Sequence, residues 1–368
     1  MRKIGILSFW NIPNYGGFMQ LYALQKVLSK RYRDCDVKQI GYLNKKHFDA
    51  YYSVFDKSFK YWFVNLKFYR KLFSNLKKYN EIKKIRNFIK YYEYIPSYDI
   101  KTENLDKLNL DILVLGSDII WDYNIEFFGK DKYLFGNNIK ASKKISYAPS
   151  FGTVTEKNKI PEYVKIGLKN LTDISVRDKK SKLIVEKICN KNVEIALDPT
   201  LMWNFMDDSN IVEPHIKEKY IIVYGSFFSD GLIKSAQKYC KANNIKIICL
   251  NSLDDTFKWC DLIINQEDLN PFEWAGYFKH ADAIMTSTYH GLLFGLIFKR
   301  KIVFYPTDFI IQKAEELIEQ LDLRKVLIEE KAFEEKILWD WNYEKIDKVI
   351  NKEREKAFAY LDRNLKNG

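Results

Sequence analysis

Short apolar runs alternate with amphipathic ones along this chain. "KIGILSFW" from Lys3, "DILVLGSD" from Asp111, "YIIVYGSFF" from Tyr220 and "IKIICLNS" from Ile245 are mostly apolar and bounded by turn residues. Strands buried on both faces read this way. Between them, "FMQLYALQKVLSK" from Phe18 and "SDGLIKSAQKYCKANN" from Ser229 repeat their apolar positions near every 3.6 residues, as helices with one buried face do. "DISVRDKKSKLIVEKIC" from Asp173 joins a strand to an amphipathic helix, and "VEIALDPTLMW" from Val193 is a strand ending in Asp-Pro. Strands alternating with helices predict parallel sheets. The series starts at Lys3 and begins again near Tyr220, so the chain reads as α/β, with two Rossmann-like domains facing a central cleft. The expected domains are 1–205 and 206–330, linked around Trp203 to Lys219, with helices over 331–368 packing back on the first domain.

Tyr51 to Tyr94 breaks the alternation. It is aromatic and basic with helical spacing, and reads as a helical insertion in the first domain, over about 51–105. Either it buries its aromatics on the main domain or it lies on a membrane surface as an amphipathic segment. Composition narrows the remaining choices. A chain of 368 residues that is 47% hydrophobic can build two cores and is too apolar for global disorder. No apolar run approaches the ~20 residues that a bilayer span needs. The opening "MRKIGILSFWNIPNYGG" reaches its Gly loop without a small-residue cleavage site, so it reads as the first strand of a cytoplasmic protein and not as a signal peptide. The five cysteines are scattered and form no CxxC pair, which argues against a disulfide frame or a structural zinc site. A net charge of +12 without a nucleic-acid module fits anionic substrates, an anionic membrane face or plain solubility, and not nucleic acid.

Polar residues gather where strands end. After the first strand come Asn11, Asn14, Tyr15, Gly16 and Gly17. Later strands end in Gly116-Ser117-Asp118, Pro149-Ser150, Arg177-Asp178 and Asp198-Pro199. In a parallel sheet these ends share one rim, where ligands bind. Gly16 and Gly17 either permit a tight turn or bring backbone N–H groups close to an anion at a helix start. No GxGxxG or GxxxxGK[ST] accompanies them, so a dinucleotide or P-loop site is not indicated. Asp118 and Asp198 read equally as helix caps. Arg177 closes an apolar strand, so it should be partly buried beside an anion, either Asp178 or a ligand phosphate or carboxylate. In "AIMTSTYHGLLFGLIFKRKIVFY", from Ala283 to Tyr305, strand, turn, helix and strand make a parallel crossover. His290, one of four histidines, falls at the end of its first strand, with Gly291 opening the helix. Taken alone it reads as a capping or core histidine.

Taken in order, the stretches "NYGGFMQLYALQ", "DILVLGSDIIWD", "ISYAPSFG", "ISVRD", "ALDPTLMW" and "TSTYHGLLFGLIF" resemble the polysaccharide pyruvyl transferase family across most of residues 3 to 305. The resemblance implies a glycosyltransferase-B-like fold. It also implies transfer of pyruvate from phosphoenolpyruvate to two hydroxyls of a sugar, in a cell-surface polysaccharide or its lipid-linked precursor, forming a cyclic ketal and releasing phosphate. It places His290 on the family's "HG" histidine and Arg177 on its "SVR" arginine. The chain departs from the family at Ser287, where an Asp is frequent, and at Thr288-Tyr289, where some branches carry an Arg.

On this reading His290 is the catalytic acid/base, since an imidazole titrates near neutrality. Arg177, Thr288, His290 and Gly291 bind phosphoenolpyruvate. Asn14, Tyr15, Gly16, Gly17 and Ser117 hold the acceptor, and Asp118 is a further catalytic candidate as a base. No metal is expected, and no cofactor beyond phosphoenolpyruvate as co-substrate. The expected partners are phosphoenolpyruvate and a sugar acceptor, free or lipid-linked, with no nucleic acid. The expected location is the cytoplasm, with peripheral contact at the inner membrane face left open. Two alternatives stand: a nucleotide-sugar-dependent glycosyltransferase of similar fold, and a non-catalytic glycan- or membrane-binding protein.

Overall fold

The computed structural model describes residues 1–52, 88–126, 130–251, 255–265, 268–328 and 333–366. Most of the aromatic-basic stretch, 53–87, lies outside the described residues, and with it the choice between the two readings of that segment. Its end is described: Phe88 and Tyr92 are buried, Phe88 against Tyr15 and Tyr92 against Trp10.

Contacts divide the chain into two units, Met1–Ile174 with Ile184–Lys191, and Ser175–Leu183 with Asn192–Gly368. In the first unit β1 (Arg2–Leu7), β2 (Cys35–Ile40), β3 (Ser97–Tyr98), β4 (Leu110–Leu115), β5 (Ala141–Ser146) and the start of β6 (Asp173–Val176) are parallel, in the order β3-β2-β1-β4-β5-β6. Ile4, Ile6 and Leu7 of β1 and Leu113, Val114 and Leu115 of β4 are fully buried. That is why these runs show no polar alternation.

In the second unit the end of β6 pairs with β7 (Glu194–Ile195). Its other sheet, of β8 (Tyr220–Tyr224), β9 (Lys246–Asn251), β10 (Leu262–Asn265), β11 (Ala283–Thr286) and β12 (Lys301–Phe304), is parallel in the order β10-β9-β8-β11-β12. Each unit thus carries the Rossmann order, with winding reversed beside its first strand. Local signals set the element ends. Asn270 and Glu273 form a reciprocal capping box at the start of the helix Pro271–His280.

The division falls inside β6, upstream of the boundary expected near 205. The long helix Tyr343–Leu365 accounts for this. Its Arg354 donates to the Leu201 carbonyl at 2.7 Å, and its Arg363 pairs with Glu194. Lys179 likewise bridges to Glu316 and Glu319 of the helix Asp308–Gln320. Residues 175–183 and 192–201 are thereby tied to helices far along the chain, where sequence proximity alone assigns them to the first domain. Among the described residues no helix is long and apolar enough to cross a membrane.

Candidate functional site

In open parallel sheets ligands bind where the strand order reverses, beyond the carboxyl ends of the strands. In the first unit that point lies between β1 and β4. After β1 the chain turns, and Asn14 Oδ1 accepts the Gly17 N–H at 2.8 Å, capping the helix Tyr15–Arg31. Tyr92 clasps this turn, its hydroxyl accepting the Ile12 N–H at 3.1 Å and donating to the Ile12 carbonyl at 2.9 Å. After β4, Asp118 adopts the left-handed φ of 72°. The Ser117 hydroxyl donates to the Ala148 carbonyl at 2.6 Å, and the Ser150 N–H donates to the Asp118 carbonyl at 2.8 Å, so the loops after β4 and β5 are fastened together.

A cavity of about 90 Å³ opens there, lined by Ser8, Asn14, Gly17, Gln20, His47 and Asp118 among others. Of the residues named from sequence, Asn14, Gly17 and Asp118 therefore come together. Tyr15 is instead buried edge-on against Phe88, Gly16 is buried outside this lining, and Ser117 is 1% exposed with its hydroxyl spent on Ala148.

His47 is the member of this lining that motif reading passes over. The one local signal for it is Asn44, three residues upstream, which accepts the His47 N–H at 3.0 Å and caps the helix Lys45–Tyr52. Asn44 and the Tyr42 hydroxyl both donate to Asp131 Oδ2 at 2.6 Å, and Asp131 Oδ1 accepts the Tyr133 N–H at 3.0 Å. Burial raises the Asp131 pKa, and these donors oppose the rise.

His47 is 3% exposed and packs edge-on to Phe9 at 4.7 Å. Burial pushes its pKa down to about 4, against the pull of the Asp118 charge, from the ordinary 6.5. As pH falls through that window the unfolded chain takes up a proton that the folded chain resists. His47 should therefore lower stability by up to about 3 kcal/mol between pH 6.5 and 4, and by nothing above. Urea midpoints from pH 7 to 4 should fall less steeply in His47→Gln than in wild type, and parallel slopes would rule out a buried neutral imidazole.

In the second unit Arg177 directly follows β6 and is 4% exposed. Its Nη1 donates to Asp198 Oδ2 at 3.3 Å, and its guanidinium lies 4.9 Å from the ring centre of Tyr289. The Lys313 ammonium stands 5.3 Å from the same ring. The internal anion is thus Asp198, beyond the neighbouring β7, and not the adjacent Asp178. Asp178 turns back to accept the Ser181 N–H at 2.8 Å, in the first turn of the helix Lys179–Cys189. Asp198 also caps its own turn, its Oδ1 accepting from the Thr200 N–H at 3.0 Å and hydroxyl at 2.8 Å. A small cavity of about 30 Å³ adjoins the pair, lined in part by Tyr289, Lys313, Glu316 and Glu353.

The second sheet reverses between β8 and β11. The Thr286 hydroxyl donates to the Tyr224 carbonyl at 2.7 Å and accepts the Thr288 N–H at 3.1 Å. Thr288 in turn accepts the Gly291 N–H at 3.0 Å and caps the helix Tyr289–Ile297. The helix therefore opens at Tyr289 and not at Gly291, and half-buried His290 stands in its first turn. A Cβ on Gly291 would lie 2.1 Å from Thr286 Oγ1, which restricts the position to glycine. Ser287, at a departure from the family pattern, accepts the Ser226 N–H at 2.9 Å. Gly225, with φ 119°, passes so close that a Cβ there would meet Ser287 Oγ at 2.2 Å. Arg177, Thr288, His290 and Gly291 thus share one unit, linked through Tyr289. Among the described residues no group of three His, Cys, Asp or Glu side chains is placed to hold a metal ion.

A family model described as polysaccharide pyruvyl transferase matches residues 14–309. No curated protein sequence matches the chain. Among solved structures, a putative UDP-N-acetylglucosamine 2-epimerase from Listeria monocytogenes is similar at 9% identity and a TM-score of 0.56, covering 100% of this chain and 97% of that one. The UDP-GlcNAc 2-epimerase from Methanocaldococcus jannaschii is similar at 12% identity and a TM-score of 0.50, covering 99% and 100%. At such identities the likeness is one of fold: two Rossmann-like units of the glycosyltransferase-B-like kind.

Proposed function

The chain belongs to the polysaccharide pyruvyl transferase family, and on that premise we propose that it transfers pyruvate from phosphoenolpyruvate to two hydroxyls of a glycan sugar, forming a ketal. The observation that carries this reading is the family match over 14–309, which contains Arg177, His290, Asn14, Gly17 and Asp118.

In this reaction the first hydroxyl adds across the donor's double bond, its oxygen to the central carbon and a proton to the methylene, which becomes a methyl group. The second hydroxyl then displaces phosphate, which leaves with the electron pair of the broken C–O bond, and the second hydroxyl proton passes to the phosphate. We assign the proton transfer at the methylene to His290. Arg177 is the donor-side cation, its plane set by Asp198 and Tyr289. Thr288 and Gly291 act by fixing the turn that presents His290. Asn14, Gly17 and Asp118 lie on the acceptor side, with Asp118 the base. A lipid-linked acceptor would place the work at the cytoplasmic membrane face.

Wild-type protein with phosphoenolpyruvate and a panel of methyl hexopyranosides should release phosphate only when a suitable sugar is present, and mass spectrometry should find the pyruvylated sugar. Millimolar phosphoenolpyruvate should also raise the melting temperature. At about 100 times the dissociation constant a ligand adds about 2.7 kcal/mol. Stabilisation by a UDP-sugar and not by phosphoenolpyruvate would overturn the donor assignment.

A further inference from the structure

The cavity of the first unit sits at the point where the first sheet reverses, between the loops after β1 and β4, and among the described residues its ionisable lining is His47, Asp118 and the Tyr92 phenol, which is engaged with Ile12. We propose that His47 and Asp118 bind a hydroxyl-bearing end of the acceptor sugar, with His47 as a specificity residue. This rests on the pyruvyl-transfer reading and adds to it a contact that no motif marks.

Three observations support it. The first is size: about 90 Å³ accommodates a hydroxymethyl group. The second is charge. Placing phosphate or carboxylate beside Asp118, in a lining where His47 is nearly dry, sets like charges together at low dielectric, so an anionic donor is disfavoured here. A hydroxyl, by contrast, both donates and accepts. A carboxylate accepts, and an imidazole that burial keeps neutral presents one donor and one acceptor nitrogen. The third is support. Ser8 donates to the Ser117 carbonyl at 3.0 Å, Asn14 caps its helix and Tyr92 clasps Ile12, so these polar neighbours hold the loops in shape. Asp131 anchors Tyr42 and Asn44, and Asn44 sets the start of the helix that carries His47. A recognition side chain needs this kind of second layer to hold its position.

The test compares His47→Leu, which removes both ring nitrogens, with His47→Gln, which keeps a donor and an acceptor, and with Asp118→Asn on the other wall. Melting curves serve as the control for folding. In steady-state phosphate release with a methyl hexopyranoside that wild type uses, His47→Leu should raise the sugar KM at least tenfold and leave the phosphoenolpyruvate KM within twofold. His47→Gln should recover part of the loss. An unchanged sugar KM, or an equal rise in both constants, overturns the proposal. If His47→Leu does not fold, the same split is required of Asp118→Asn.

If wild type turns over no sugar of the panel, the pyruvyl-transfer reading fails for these sugars while the pocket stays testable. Saturation-transfer NMR should then show a panel sugar bound to wild type and released in His47→Leu, or in Asp118→Asn if His47→Leu does not fold. No binding to wild type, or binding that survives the substitution, overturns the assignment.

Discussion

Asp198→Ala should lower stability by about 3–5 kcal/mol, read as a fall in the urea midpoint at constant m-value. The side chains of Arg177 and Asp198 are 3% and 1% exposed, so truncation leaves a guanidinium in the interior facing the Tyr289 ring without its counter-charge. The same change removes the cap on the Thr200 N–H and hydroxyl. Asp198→Asn keeps an acceptor for the cap and loses the charge, so it should fall between wild type and Asp198→Ala. The double variant Arg177→Met with Asp198→Leu should recover most of the loss, because neither side chain then carries a desolvation penalty. A loss below about 1 kcal/mol in Asp198→Ala would mean that Arg177 draws its compensation from elsewhere.

His290→Ala should lower kcat by about 10²- to 10⁴-fold, with a far smaller change in the phosphoenolpyruvate KM, as expected when a proton-transfer group is removed. Its effect on folding should be small. The helix start depends on Thr286, Thr288 and Gly291, and none of those contacts uses the imidazole. A variant with wild-type kcat and a raised donor KM would make His290 a binding residue and move the proton transfer elsewhere. The two predictions separate the roles of residues gathered around Tyr289, whose ring meets both the Arg177 guanidinium and the His290 imidazole. On the proposed reading Asp198 acts on structure through Arg177, and His290 on chemistry.

Much of the candidate site was legible because strand ends are local features. The runs that end at Asp118, Arg177 and His290 are apolar enough to be read as buried strands, and in a parallel sheet such ends share a rim. The partner of Arg177 was not legible. Asp178 is adjacent in sequence, yet its carboxylate is closer to the backbone of its own helix, and the charge is met by Asp198 after β7. Tyr15 and Ser117 follow the same logic: each lies within a motif, and each is turned inward to Phe88 or to Ala148. His47 was hidden for the opposite reason, since it lies outside every motif and its helix is set in place by Asn44, which Asp131 anchors.

The sequence by itself determined the family, the α/β class, the second series of strands after Tyr220 and the positions of the strand ends. The family follows from the ordered motifs and the family match, and the other three from periodicity and turn chemistry, which act over a few residues. Only the tertiary structure decided which ends carry a usable side chain, where the units divide and that His47 joins Asp118. Those outcomes depend on contacts between residues far apart in the chain, such as Arg354 with Leu201 or Asp131 with Asn44. Such contacts are set by burial and by the need to satisfy each buried polar atom, and neither leaves a periodic mark in the sequence.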